Sequence, residues 1–255
     1  MGLLATSGAL LGVTVDGGAN RRGTIFQLKP SADGSAPWSE TILYSFAASP
    51  DGSFPSSDLI MDRSGNLYGI SLLGGAKNLG AVYRLSPPAL QGGPWTETVL
   101  FSFSGPDGSS PFGRLLLDKN GSLYGTTSGG GASQTGTVFM LTPQSGDVWV
   151  EQVLYSFSGG ADGGSPEAGV IMDQNGRLFG TASTGGTGRL SGGTVFRLDP
   201  PTNVGAAWTE TVLYSFGGSD GFRPLSRLVP RNGALYGTTS AGGLNGTGTV
   251  FQLIP

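Results

Sequence analysis

A six-residue block, GTIFQL from Gly23, returns as GAVYRL from Gly80, GTVFML from Gly136, GTVFRL from Gly193 and GTVFQL from Gly248. The intervals are 57, 56, 57 and 55 residues, so the chain is five copies of one unit. Self-similarity at a fixed period of this size marks a repeat architecture. A second block keeps the same phase: ALLG from Ala9, NLYG from Asn66, SLYG from Ser122, RLFG from Arg177 and ALYG from Ala234. A third, of the type VLYSF, occurs four times and ends at Phe46, Phe103, Phe157 and Phe216. Each copy of it follows a Trp-x-Glu pair: Trp38 and Glu40, Trp95 and Glu97, Trp149 and Glu151, Trp208 and Glu210.

A full unit holds four short apolar runs, here A to D, each bounded by turn residues. In the second copy they are Leu59 to Asp62, Asn66 to Ser71, Ala81 to Leu85 and Glu97 to Phe103. Their length and their β-branched and aromatic content favour strand over helix. Runs A and B are joined by Asp-x-(Ser/Asn)-Gly, as from Asp62 to Gly65, where Asp can hold its own backbone and Gly accepts positive φ. Four antiparallel strands per unit at this period predict an all-β, five-bladed β-propeller. The alternative, a β-solenoid, normally repeats at shorter intervals and lacks four turn signals per unit. The repeats run approximately 1–46, 47–103, 104–157, 158–216 and 217–255 within a single propeller domain.

Composition removes several functions. The chain has 47 Gly and 16 Pro among 255 residues, yet 37% of it is hydrophobic, enough to offset chain entropy if the glycines serve turns. Net charge is −3 and the only basic cluster is Arg21-Arg22, which excludes a basic face for nucleic acid. No apolar run is long enough for a membrane span. With no Cys and no His there is no disulfide, thiolate, imidazole metal site or Ser-His-Asp triad. No cofactor motif is present, and no metal set either. The opening stretch lacks a basic leader and aligns with the repeat, so it is read as strand.

Alternation of strand direction assigns loops to ends of the blades. The B-to-C loops, with Gly pairs such as Gly74-Gly75, share one end with the D-to-A loops, which carry Asp-Gly-x-x-Pro. Asp51, Asp107, Asp162 and Asp220 are therefore the candidate ligand-binding residues. Carboxylates beside flexible glycines suit neutral polyols such as glycans. One carboxylate per loop is thin for calcium, which wants six to eight oxygens. The competing reading is that each Asp serves its own turn. Glu167 and Asp58, which stand outside the repeated positions, are the acids an asymmetric catalytic pair would use. The Trp-x-Glu pairs are read as blade packing by Trp, with Glu guarding the outer strand.

The motifs DRSGNLYGISLLGG, DKNGSLYGTTSGGGASQTGTVFML and NGALYGTTSAGGLNGTGTVFQL resemble the bacterial tandem repeats called GloVer, across nearly the whole chain. The resemblance implies a propeller-like, exported or surface-attached protein, and no established activity. The functional expectation is an extracellular, non-catalytic repeat protein that binds a glycan or another surface component. The alternatives are a carboxylate-dependent polysaccharide hydrolase or lyase and a purely structural repeat. Four VLYSF-type runs against five of the others leave the last blade one strand short. The edge that begins at Gly248 and ends at Leu253 is then expected to self-associate or to receive a strand from a longer array.

Overall fold

In the computed structural model, residues 2–31, 37–47, 49–90, 92–203 and 205–255 are described; parts of the C-to-D connections, at 32–36, 91 and 204, lie outside them together with residues 1 and 48. Five antiparallel sheets follow one another along the chain. The first is β1 (Leu4–Thr6), β2 (Ala9–Thr14), β3 (Thr24–Lys29) and β4 (Ser39–Ser45). The second is β5 (Gly52–Pro55), β6 (Ile60–Met61), β7 (Leu67–Gly74), β8 (Ala81–Ser86) and β9 (Thr96–Ser102). The third is β10 (Ser109–Leu117), β11 (Leu123–Gly129), β12 (Thr137–Pro143) and β13 (Trp149–Ser156). The fourth is β14 (Ile171–Met172), β15 (Leu178–Ala182), β16 (Thr194–Asp199) and β17 (Thr209–Ser215). The fifth is β18 (Phe222–Pro224), β19 (Val229–Arg231), β20 (Ala234–Ala241) and β21 (Thr249–Leu253).

Runs A to D thus become strands in the expected order, and β21 pairs only with β20 among the described residues. One expectation changes. The Asp-Gly-x-x-Pro segment is not a plain loop: its last residues lie as extended chain against the end of strand B. Gly52 faces Gly74 and Pro55 faces Ser71, Pro111 faces Thr127, and Pro224 faces Thr239. Strand A is therefore two pieces in the second and fifth sheets and one bulged strand, β10, in the third.

The A-to-B hairpins divide into two kinds. In the three central copies Asp accepts two backbone N–H groups through Oδ1, from Ser64 and Asn66 at Asp62, from Asn120 and Ser122 at Asp118, and from Asn175 and Arg177 at Asp173. The end copies use two-residue turns, Ser7-Gly8 and Asn232-Gly233, with Thr6 facing Ala9 and Arg231 facing Ala234. Asn232 and Gly233 both have positive φ, as a hairpin of this length prefers.

The chain falls into two compact units, residues 1–104 with 144–149, and 105–143 with 150–255. In the first, Leu11, Ile25 and Phe46 of the first sheet pack on Leu59, Leu67, Tyr83 and Leu85 of the second, with Trp95 against them. In the second unit, Tyr124, Val138, Leu154 and Phe157 meet Val170, Leu178, Phe196 and Leu198. The next joint repeats this, with Ile171, Phe179, Val195 and Phe216 against Leu228 and Leu235. The recurring aromatic of strand C packs edge-on against the VLYSF phenylalanine of the preceding sheet, as in Phe46–Tyr83 at 5.0 Å and Phe157–Phe196 at 5.1 Å.

Candidate functional site

Inside each unit, the Asp-Gly-x-x-Pro segments fasten neighbouring sheets. In all four, the residue before proline has left-handed φ: Phe54, Ser110, Ser165 and Arg223, at 50–57°. That conformation is uncommon for a side-chain-bearing residue. It turns the N–H toward the preceding sheet, where Phe54 donates to the Arg22 carbonyl, Ser165 to Thr135 and Arg223 to Gly192. The proline then packs on the glycine that opens the preceding strand C. A Cβ on Gly23, Gly136 or Gly193 would lie 2.5–2.7 Å from the Cδ of Pro55, Pro166 or Pro224, and each glycine has φ near +100°. Positive φ at all five block glycines, with a strand B carbonyl 2.3–2.5 Å from the Cβ position at Gly23, Gly136, Gly193 and Gly248, accounts for the invariant first letter, and the proline adds to it in three copies.

Each Asp of the segment is half-buried and engaged. Asp51 accepts the Tyr44 hydroxyl at 3.0 Å and the Ala47 N–H at 2.6 Å through Oδ2. Asp162 accepts the Tyr155 hydroxyl, the Ser158 N–H and the Ser158 hydroxyl. Asp220 accepts the Tyr214 hydroxyl and the Gly217 N–H. Asp107 accepts the Gly105 N–H at 3.2 Å, and Phe101 stands where the other copies have tyrosine. Burial alone would push the Asp162 carboxyl upward, but its Ser158 and Tyr155 donors outweigh burial and hold it below the usual carboxylate range.

In three of the four Trp-x-Glu pairs the glutamate is turned inward and does not guard an outer edge, while Glu40 stays exposed on β4. Glu97, Glu151 and Glu210 are half-buried and face the Asp that opens their own repeat. The Glu151 carboxyl is pushed up to about 7 by burial and then by Asp107, and Glu210 to about 7 by burial and then by Asp162. Glu97 is raised further, to about 8, by burial first and then by the charge of the neighbouring Asp51. Asp51 Oδ1 and Glu97 Oε1 are both buried and lack a donor. The raised Glu97 carboxyl favours its neutral form, which relieves the repulsion from Asp51. Sequence reading missed these pairs because their members lie on different strands of the repeat, with no local spacing to mark them.

The second copy departs from the others in three further ways. Tyr83 replaces the phenylalanine of strand C and buries its hydroxyl with no partner. The Ser49–Pro50 peptide is cis. Beside Asp51 and Glu97 opens a groove of about 420 Å³, whose walls include Tyr44, Pro50, Ala76 and Ser102. Its counterpart in the second unit, about 280 Å³, lies along Tyr214, Asp220, Phe251 and Leu253, beside β21. The acids outside the repeat are occupied: Asp58 accepts the Gly2 N–H and Glu167 the Ser183 hydroxyl.

Among the described residues no group of three or more acidic side chains forms a metal cage, and no helix is long and apolar enough to cross a membrane. The sequence matches the Gloeobacter/Verrucomicrobia repeat over residues 1–196 and 151–255. No curated protein matches it. Among solved structures, an oxidoreductase of Thermus thermophilus described as a glucose dehydrogenase is similar, with TM-score 0.59 at 18% identity, covering 96% of this chain and 78% of that one. A protein of unknown function from Dyadobacter fermentans has TM-score 0.51 at 14% identity, covering 97% and 79%. At these identities the likeness is one of fold, and it places the five sheets as blades of the β-propeller class.

Proposed function

We propose that this chain, which belongs to the Gloeobacter/Verrucomicrobia repeat family, is an extracellular, non-catalytic propeller that binds a neutral glycan in the groove of its second blade. The observation that carries the reading is the Asp51–Glu97 couple at the wall of that groove. With one proton between them the two carboxyls present both a donor and acceptors, which is what a sugar hydroxyl needs. Tyr44 and Ser102 add hydroxyls, and Pro50 and Ala76 supply apolar surface for a pyranose face. The three sister aspartates keep their turns and repeat the chemistry more weakly, consistent with a repeated binding face.

Contact between Asp51 and Glu97 argues against hydrolysis. Paired carboxyls that cleave a glycosidic bond stand about 5 Å or more apart, to leave room for the sugar or a water. The test is a glycan array followed by titration calorimetry on a retained sugar. Wild type binds, and Glu97→Ala with Asp51→Asn loses at least about tenfold in affinity, equal to about 1.4 kcal/mol. Absence of binding to any glycan leaves the purely structural role. Release of reducing ends from a polysaccharide, abolished by Glu97→Gln, replaces the proposal with the hydrolase reading.

A further inference from the structure

Four Asn-Gly steps lie outside the groove, at 120–121, 175–176, 232–233 and 245–246. Asparagine followed by glycine is prone to spontaneous loss of ammonia, because glycine has no side chain to shield its nitrogen. The main-chain nitrogen of the glycine, on losing its proton, attacks the side-chain carbonyl carbon of the asparagine. A C–N bond closes a cyclic imide, and the side-chain nitrogen leaves with that proton as ammonia. Water then opens the imide at either carbonyl, giving aspartate or isoaspartate. In the second product the main chain runs through one additional methylene. Neither an oxidant nor a cofactor is required.

The fold treats the four steps differently. In the third and fourth sheets the step lies in the Asp-held hairpin, where Gly121 donates its N–H to the Asp118 carbonyl and Gly176 to that of Asp173, each at 3.2 Å. Asn120 and Asn175 are pinned as well, through their own N–H groups on Oδ1 of Asp118 and Asp173. Gly246 donates to the Gly243 carbonyl, again at 3.2 Å. Gly233 is the second residue of the two-residue turn in which Arg231 faces Ala234, and its N–H meets no acceptor among the described residues. Residues 231–233 are exposed, and no atom beyond the chain neighbours lies within 4 Å of the place a Gly233 Cβ would take. The nitrogen that must attack is thus bound at three steps and open at one.

We infer that Asn232 is a site of spontaneous deamidation, converted ahead of Asn120, Asn175 and Asn245 because its turn leaves the Gly233 nitrogen free, and that the isoaspartyl product opens the β19–β20 hairpin. A carbonyl that holds an N–H opposes both removal of its proton and the turn of the nitrogen toward the side chain. One such bond corresponds to a factor of about five to ten in rate. The consequence is local. Asn232 and Gly233 both have positive φ and join Arg231 to Ala234 in a tight turn whose twist suits the flanking strands. An added methylene lengthens that link, and the pairs Pro230 with Leu235 and Val229 with Tyr236 depend on the same register.

Peptide mapping by mass spectrometry during incubation in warm, mildly alkaline buffer tests this. In the folded chain Asn232 should convert at least about fivefold faster than each of the other three. In denaturant, where the bonds to Asp118, Asp173 and Gly243 are gone, the four rates should come together. The isolated isoaspartyl form should melt at a lower temperature than Asn232→Asp, which carries the same new charge without the added methylene. Equal rates at the four steps of the folded chain, or the same ranking retained in denaturant, overturn the inference. So does an isoaspartyl form that melts together with Asn232→Asp, since the turn then accepts the longer main chain.

Discussion

The carboxyl pair of the second copy and that of the fourth occupy the same places in the repeat and behave differently. In the fourth, Ser158 gives Asp162 a hydroxyl as well as an N–H, and Glu210 faces an aspartate whose acceptors are already used. In the second, Ala47 can give only its N–H, and Asp51 Oδ1 is left for Glu97. The fourth copy fills the strand C position with Phe196 and the second with Tyr83, whose hydroxyl is orphaned. Changes at two positions thus leave the second copy's aspartate with an unused oxygen facing Glu97 beside a groove, whereas in the fourth copy the unsatisfied oxygen is that of Glu210 alone. A repeated frame tolerates one deviating copy because the other joints carry the stability.

The comparison breaks most severely if the fourth copy loses its aromatic. Phe196 is fully buried against Phe157, and Phe196→Ala should cost about 3–5 kcal/mol in chemical denaturation. A loss under about 1 kcal/mol would show that the joint is not where this unit holds together.

Next in size is the response to pH. Glu151 and Glu210 titrate near 7 in the folded chain, against about 4.5 for an ordinary glutamate, and Glu97 is raised as well. Their contribution is complete below about pH 4.5 and is lost as pH rises through about 7. For Asp62, Asp162, Asp173 and Asp220 burial pushes upward but is outweighed by their donors, so they are held low and act the opposite way only in stronger acid. Stability should therefore fall by about 2–3 kcal/mol from pH 5 to pH 8, after allowance for solvent screening of these half-exposed groups. Replacing all three glutamates by glutamine should flatten the melting temperature across that range. A melting temperature that rises from pH 5 to pH 8 in wild type would contradict the pairing.

The smallest effect is the most pointed. Ala47→Ser with Tyr83→Phe gives the second copy the fourth copy's residues and should raise stability by about 1–2 kcal/mol at pH 7, because an orphan hydroxyl is removed and a donor added. In the same variant the groove should bind its ligand more weakly. An unchanged affinity would separate the proton-sharing couple from recognition.

The period and the strand order could be read from the sequence, because block spacing and turn residues determine them directly. The role of the Asp-Gly-x-x-Pro segment could not. Gly and Pro signal a loop, yet Gly52–Pro55 lies along β7 because proline packs against Gly23 of the preceding sheet, a contact that no local pattern reports. Distance along the chain also hid the match of Asp51 with Glu97. Tyr83 was visible as the odd letter in GAVYRL, but without burial it reads as a harmless aromatic exchange. Asp58 and Glu167 drew attention for their asymmetry, and the structure shows each already bound to a neighbour in its own unit.

The left-handed residue before each proline has a consequence for how such a chain can diversify. At Phe54, Ser165 and Arg223 the backbone N–H does the fastening, while the side chain differs freely from copy to copy. Support and display are therefore separated within a single residue. Substitution there can change aromatic to hydroxyl to cation without touching the hydrogen bond that holds the sheets, and a glycine would even relieve the backbone. Three such addresses give this chain a way to vary its surface while the frame beneath stays constant.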